Sequence, residues 1–232
     1  MLVVTLEDRA RATLKRALAN VSRVSVGRIR AGFAGEDGLP KELLDAADRL
    51  AEADIDFIDG VALTAEQIAA QVWHWKRSRD VDFAAVIIDQ LSHVAPSSRV
   101  NAEYFRSRNL PVPPPENSPE TRLLEWQAWV LKTVAERLGV CVVLAHQLNE
   151  SHGDGKPTVR SIRGSRGIVH KSDLVVIPWV PEQVPNPFAG PGQPSHIPNV
   201  SGEGRLIIVK GREVGRAEEP IVWVGEHQRF AD

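Results

Sequence analysis

The run Val81-Asp82-Phe83-Ala84-Ala85-Val86-Ile87-Ile88-Asp89-Gln90-Leu91 constrains this chain more than any other stretch. Its apolar residues are continuous rather than alternating, several are β-branched, and they stop at a carboxylate. The run is too short for a buried helix and the right length for a buried strand, so it predicts a central parallel strand covered on both faces. In open α/β sheets a ligand sits outside the carboxyl ends of such strands, which places Asp89 where a ligand is met.

Around this run, strands and helices alternate. Leu2 to Leu6 reads as a strand that opens beside Met1 with no turn before it, so the natural chain is expected to extend upstream. Asp8 suits the cap of a helix reaching about Asn20, with Ala10, Leu14, Ala17, Leu18 and Val21 inward. A glycine-rich link, Gly32 to Gly38, leads to a helix opened by Pro40 and ended near Ala53. Ile55 to Asp59 is a short strand, and Thr64-Ala65-Glu66-Gln67 is a capping box for a helix to about Arg77. Ser118-Pro119-Glu120 begins a long helix to about Leu138, with an apolar stripe of Leu123, Trp126, Val130, Leu131 and Val134. Gly139 stops it, and Cys141 to Ala145 follows as another buried strand ending in His146-Gln147. Cys141 itself reads as a small buried hydrophobe, and Trp73, Trp75, Trp126 and Trp129 as core packing. Asp173 to Trp179 is a fifth strand, and Arg205 to Lys210 with Pro220 to Val224 form a terminal pair. Residues 95–117 and 181–204, rich in proline and glycine, read as loop insertions. The pattern predicts an α/β fold in one domain over residues 1–232, a doubly wound, mostly parallel sheet with helices on both faces.

A single cysteine excludes a disulfide framework, and no apolar run is long enough to span a membrane, so a cytoplasmic location is expected. The net charge of −2 means that any affinity for nucleic acid must come from a local basic patch such as Arg160, Arg163 and Arg166. The seven histidines, His74, His93 and His170 among them, show no metal-ligand spacing and read as surface or packing residues.

Four chemically loaded residues follow apolar strands: Glu7, Asp89, Gln147 and Lys210. Together they suggest one crevice at the carboxyl edge of a sheet. By residue type alone other roles stand beside this one. Glu7 also suits a helix start, Gln147 a strand-end turn, Lys210 with Arg212 a solvated edge, and the arginines a surface cluster.

At this point the chain resembles the C-terminal motor domain of DnaB-type replicative helicases. Thr5-Leu6-Glu7 is similar to the family's Ser-Leu-Glu segment, and Val86-Ile87-Ile88-Asp89 to its Walker B strand. Val143-Leu144-Ala145-His146-Gln147-Leu148 resembles the strand ending in Ser-Gln-Leu. Ser161-Ile162-Arg163-Gly164-Ser165, then Ile168 and Ser172-Asp173, resembles the DNA-facing Asp-Leu-Arg-Glu-Ser-Gly-Ser-Ile segment and its terminal Ala-Asp. Ile207-Ile208-Val209-Lys210-Gly211-Arg212 is similar to the Lys-x-Arg finger strand, and Arg229-Phe230 to the terminal Arg-Phe.

The resemblance implies a RecA-like fold and an ATP-hydrolysing, ring-forming helicase, a hexamer, that moves on single-stranded DNA. In it Asp89 would hold Mg²⁺ through water, and Glu7 would orient or deprotonate the water attacking the γ-phosphate. Gln147 would sense that phosphate. Lys210 and Arg212, two residues apart on a strand and so on one face, would reach a neighbouring subunit's nucleotide. Arg163, Gly164, Ser165 and Arg166 would face the DNA.

The sequence departs from the family pattern in several places. No G-x-x-x-x-G-K-[ST] loop occurs, so the Walker A region is expected upstream of Met1. Gly164 stands where the family has Glu, Arg166 where it has Gly, Lys171 where it has Asp, Gln90 for an aromatic and His146 for Ser. Two other readings remain open. One is a non-catalytic RecA-like subunit or fragment that donates Lys210 and Arg212 to a neighbour. The other is a different RecA-fold ATPase, such as a plasmid replication helicase or a recombinase.

Overall fold

A computed structural model of the chain describes residues 1–33, 38–60, 62–79, 84–97, 106–107, 111–149, 155–185 and 196–231. Much of the glycine-rich link, the first residues of the Val81 run, and large parts of the proline-rich stretches 95–117 and 181–204 lie outside the described residues. The chain forms two compact units. The first is Met1–Ala10, Asp54–Leu148 and Ile162–Ser172; the second is Arg11–Ala53, Asn149–Ser161 and Asp173–Asp232.

The first unit holds a four-stranded sheet of β1 (Leu2–Thr5), β2 (Asp56–Asp59), β3 (Ala84–Asp89) and β4 (Val140–Leu144). The spatial order is β2-β1-β3-β4 and every pair is parallel. The continuous runs of Val, Ile and Leu in β1 and β3 suit the two central strands. One face packs on two long helices, Ala65–Arg79 and Glu120–Leu138, with Leu2, Val4, Ile68, Val72, Val86, Ile88, Leu131 and Val134 in the shared core. The capping box forms as the sequence predicts: Thr64 N–H donates to Gln67 Oε1 at 2.9 Å, and Gln67 N–H to Thr64 Oγ1 at 3.3 Å. Gly139 ends the second helix in a left-handed conformation, φ 60°. Lys76 Nζ donates to the carbonyl of Leu138, tying one helix to the end of the other. The short helix Ser165–Lys171 completes the unit.

In the second unit, β5 (Leu174–Trp179), β8 (Glu203–Gly211), β9 (Ala217–Val224) and β10 (Arg229–Ala231) form an antiparallel sheet in the order β10-β9-β8-β5. The 181–204 stretch, read from sequence as a loop, contributes β6 (Gln183–Pro185) and β7 (His196–Pro198), which pair antiparallel. The helices of this unit are α1 (Ala10–Ser22), α2 (Val26–Ala31) and α3 (Lys41–Glu52); those of the first unit are numbered α4 (Ala65–Arg79), α5 (Glu120–Leu138) and α6 (Ser165–Lys171).

The structure corrects several local expectations. Cys141 is exposed and Val143 is 48% exposed, because β4 lies at the sheet's edge and α5 covers only the face carrying Val140, Val142 and Leu144. Helix α1 buries Ala19 and Ser22, whereas Leu14 is exposed. Its start is held by Asp59 Oδ2, which accepts Ala10 N–H at 3.2 Å. Trp75 and Trp126 are core residues, but Trp73 stands out into solvent with the Arg77 guanidinium over its ring. No described helix is long and apolar enough to cross a membrane.

Candidate functional site

Adjacent parallel strands end along one edge, so residues just beyond β1, β3 and β4 are brought together whatever their separation in sequence. Thr5 pairs in register with Asp89, and Leu6 N–H donates to the Asp89 carbonyl at 2.8 Å. Beyond β4, Ala145 N–H donates to the Ile88 carbonyl at 3.0 Å and the Ala145 carbonyl accepts from Leu91 N–H at 2.9 Å. Glu7, Asp89 and Gln147 therefore occupy one edge of one sheet, whereas Lys210, expected at the same edge, lies in β8 of the other sheet.

Two residues read otherwise from sequence join them. Gln90, which follows Asp89 across a cis peptide bond, is buried and donates from Nε2 to Glu7 Oε2 at 2.6 Å. His93 Nδ1 lies 3.9 Å from the same oxygen. Adjacency to Asp89 was the only sequence signal for Gln90; His93 is carried in by the single 3₁₀ turn Leu91–His93 and had none.

The segment after β4 is bonded to the basic stretch. Leu148 and Ile162 form an isolated bridge, Arg163 N–H donates to the Gln147 carbonyl at 3.3 Å, and His146 Nε2 donates to the Arg163 carbonyl at 2.8 Å. A carbonyl only accepts, so Nε2 carries the proton. His146 Nδ1 is buried and has no hydrogen-bond partner among the described residues. Burial lowers the His146 pKa below its ordinary value and the Arg163 charge adds to this, while the hydrogen bond to the Arg163 backbone and the Glu120 charge oppose it.

Arg163 is exposed but engaged. Its Nε and NH2 donate to Glu120 Oε2 at 3.2 and 3.0 Å, with NH2 also 3.0 Å from Oε1. Gly164 takes φ 66°, and a Cβ there would come within 2.8 Å of Leu124 Cδ1. This accounts for glycine at a position where the related motif has Glu, since a Glu would meet both backbone strain and a clash. Ser165 opens α6 and Arg166 is exposed in its first turn.

Lys210 and Arg212 belong to the second unit. Lys210 pairs with Val175 inside β8, but β8 ends at Gly211, so Arg212 starts the turn toward β9. The expectation that both share a strand face is corrected by that strand end. Arg212 NH1 lies 2.9 Å from Asp173 Oδ1, and Arg212 N–H donates to the Asp173 carbonyl at 3.1 Å.

The fold has relatives among solved structures. The chain is 17% identical to a structure described as a DnaB-like replicative helicase and its interactions with primase, with a TM-score of 0.75, covering 99% of this chain and 49% of that one. It is 18% identical to the ATPase domain of G40P, with a TM-score of 0.76, covering 100% of this chain and 74% of that one. The chain thus spans about half the length of the replicative helicase it resembles. A comparison with curated protein sequences finds no match. The fold is α/β and RecA-like, and the whole chain, residues 1–232, matches the family described as DnaB-like helicase C terminal domain. On that match the chain belongs to the DnaB-like helicase C terminal domain family.

Proposed function

We propose that this chain is the motor of a replicative-type, ring-forming helicase that hydrolyses ATP with Mg²⁺ and moves on single-stranded DNA in the cytoplasm. One observation carries the reading: Glu7, Asp89 and Gln147 follow neighbouring parallel strands of one sheet, in a chain whose full length matches a helicase motor family. Glu7 orients or deprotonates the water that attacks the γ-phosphate, and Gln147 donates to that phosphate and senses its loss. Asp89 suits Mg²⁺. That ion takes one or two carboxylates together with waters and substrate phosphates, so a single carboxylate suffices. Bound there, magnesium neutralises charge on the phosphates.

Lys210 and Arg212 act on the nucleotide of the adjoining subunit in a hexameric ring, where an arginine supplied in trans contributes ~10³ or more in rate. Arg163, Gly164, Ser165 and Arg166 follow the DNA backbone with little sequence preference. A second reading rests on the lack of a G-x-x-x-x-G-K-[ST] sequence within these 232 residues. In it, the chain joins a ring as a donor of Lys210 and Arg212 without turning over nucleotide itself. The deciding measurement is Mg²⁺-dependent binding of a fluorescent ATP analogue to the 232-residue chain beside an Asp89→Asn control. Saturable binding lost in the control supports the motor; no binding at millimolar concentration leaves the donor reading.

A further inference from the structure

We infer that Gln90 is a positioning residue that fixes the Glu7 carboxylate for its work on the attacking water, an inference that rests on the proposed role of Glu7. A glutamate has three side-chain torsions, and the Glu7 side chain is 49% exposed, so solvent alone leaves it several orientations. Gln90 differs in every respect that matters. It is 4% exposed, and its flanks are fixed: Leu91, fully buried, donates its N–H to the Ala145 carbonyl at 2.9 Å, and the Gln90 carbonyl accepts from His93 N–H at 3.0 Å. Its carboxamide therefore presents a donor from the sheet edge, 2.6 Å from Glu7 Oε2.

The amide's orientation follows from charge, since an amide oxygen facing a carboxylate is repelled whereas the NH₂ is attracted. His93 Nδ1, at 3.9 Å from the same oxygen, is too distant to share the bond. Both neighbours fall on Oε2, which leaves Oε1 to take a water. The aromatic that the related motif carries at this position has no amide to offer, so the device belongs to this chain.

The test uses the 232-residue chain with Gln90→Met, which keeps length and burial but removes the donor, and Gln90→Leu as a second apolar variant. Steady-state ATP turnover with Mg²⁺ and oligo-dT is expected to show kcat about 10- to 100-fold lower, with KM within about twofold, because misplacing a catalytic group acts on the chemical step. In a Glu7→Asp background, whose shorter carboxylate cannot reach the amide, Gln90→Met is expected to add no further loss. Unchanged kcat in both variants, or losses that multiply in the double variant, would overturn the inference.

A separate arm distinguishes this failure from failure of the functional reading. If Glu7→Gln leaves turnover intact, or the unaltered chain has no turnover, the role assigned to Glu7 falls. The side-chain amide resonances of Gln90 in a ¹⁵N spectrum then decide the contact alone. A shift on Glu7→Gln supports the positioning contact, and an unmoved resonance overturns it.

Discussion

Replacing Glu120 by Gln isolates what the ion pair to Arg163 does. The pair is forked, but the two side chains are 44% and 49% exposed, so water and salt screen it and it contributes about 0.2–1 kcal/mol to folding. Glu120→Gln is therefore expected to lower Tm by no more than about 2–4 °C. In the proposed role of Arg163, single-stranded DNA displaces Glu120 before a phosphate reaches the guanidinium, so removing the carboxylate returns the same free energy to binding. At ~1 kcal/mol the gain in affinity is about fivefold. The slope of log K against log salt is expected to steepen by up to ~0.7, the value for one phosphate neutralised on a single strand. The assay is fluorescence anisotropy of a labelled oligo-dT titrated at several salt concentrations. The change also makes the whole chain one charge less negative, so it is repeated in an Arg163→Ala background. Unchanged affinity, or an equal gain without Arg163, would refute the argument that this carboxylate competes with DNA.

Other substitutions probe other parts of the molecule. Gly164→Ala forces a left-handed φ of 66° on an L-residue and makes the Leu124 side-chain tip give way; a loss of about 1–2 kcal/mol is expected from urea unfolding, and a neutral result would contradict the geometry. Because burial depresses the His146 pKa, the unfolded chain binds that proton first as pH falls below 6.5. The penalty from His146 is then absent above the unfolded value, and stability is lost at no more than ~1.4 kcal/mol per pH unit as pH falls from there to its folded pKa; His146→Gln should flatten the unfolding profile over that window. Arg212→Ala is expected to abolish DNA-stimulated ATP turnover while nucleotide binding persists, and unchanged turnover would remove Arg212 from the finger role.

The parallel sheet was legible because its strands are unbroken β-branched runs punctuated by glycine or charge, and Thr64 with Gln67 declared a helix start through local bonds alone. Helix α2 was not: six residues, Val26–Ala31, carry too little periodicity, and only Ser25 and Gly32 mark their ends. The burial of β4 was misjudged because an apolar run states that a strand can be covered, not which of its faces has a neighbour. The site divides along the same line. Glu7, Asp89 and Gln147 could be placed from their positions after strands. Their partners could not, since Gln90 meets Glu7, and Glu120 meets Arg163, through tertiary approach between residues 83 and 43 positions apart. Lys210 was read as following a strand and Arg212 as sharing that strand, whereas Lys210 lies inside β8 and the strand ends at Gly211, just before Arg212.

The exposed edge strand β4 also makes the molecule observable. Cys141 is the sole thiol in the sequence and points to solvent, so a maleimide dye attaches at one known place without removing any other cysteine. That place is on the strand that leads directly into His146 and Gln147. A reporter there would follow events at the sheet's carboxyl edge in real time, from a position that contributes nothing to the packed core.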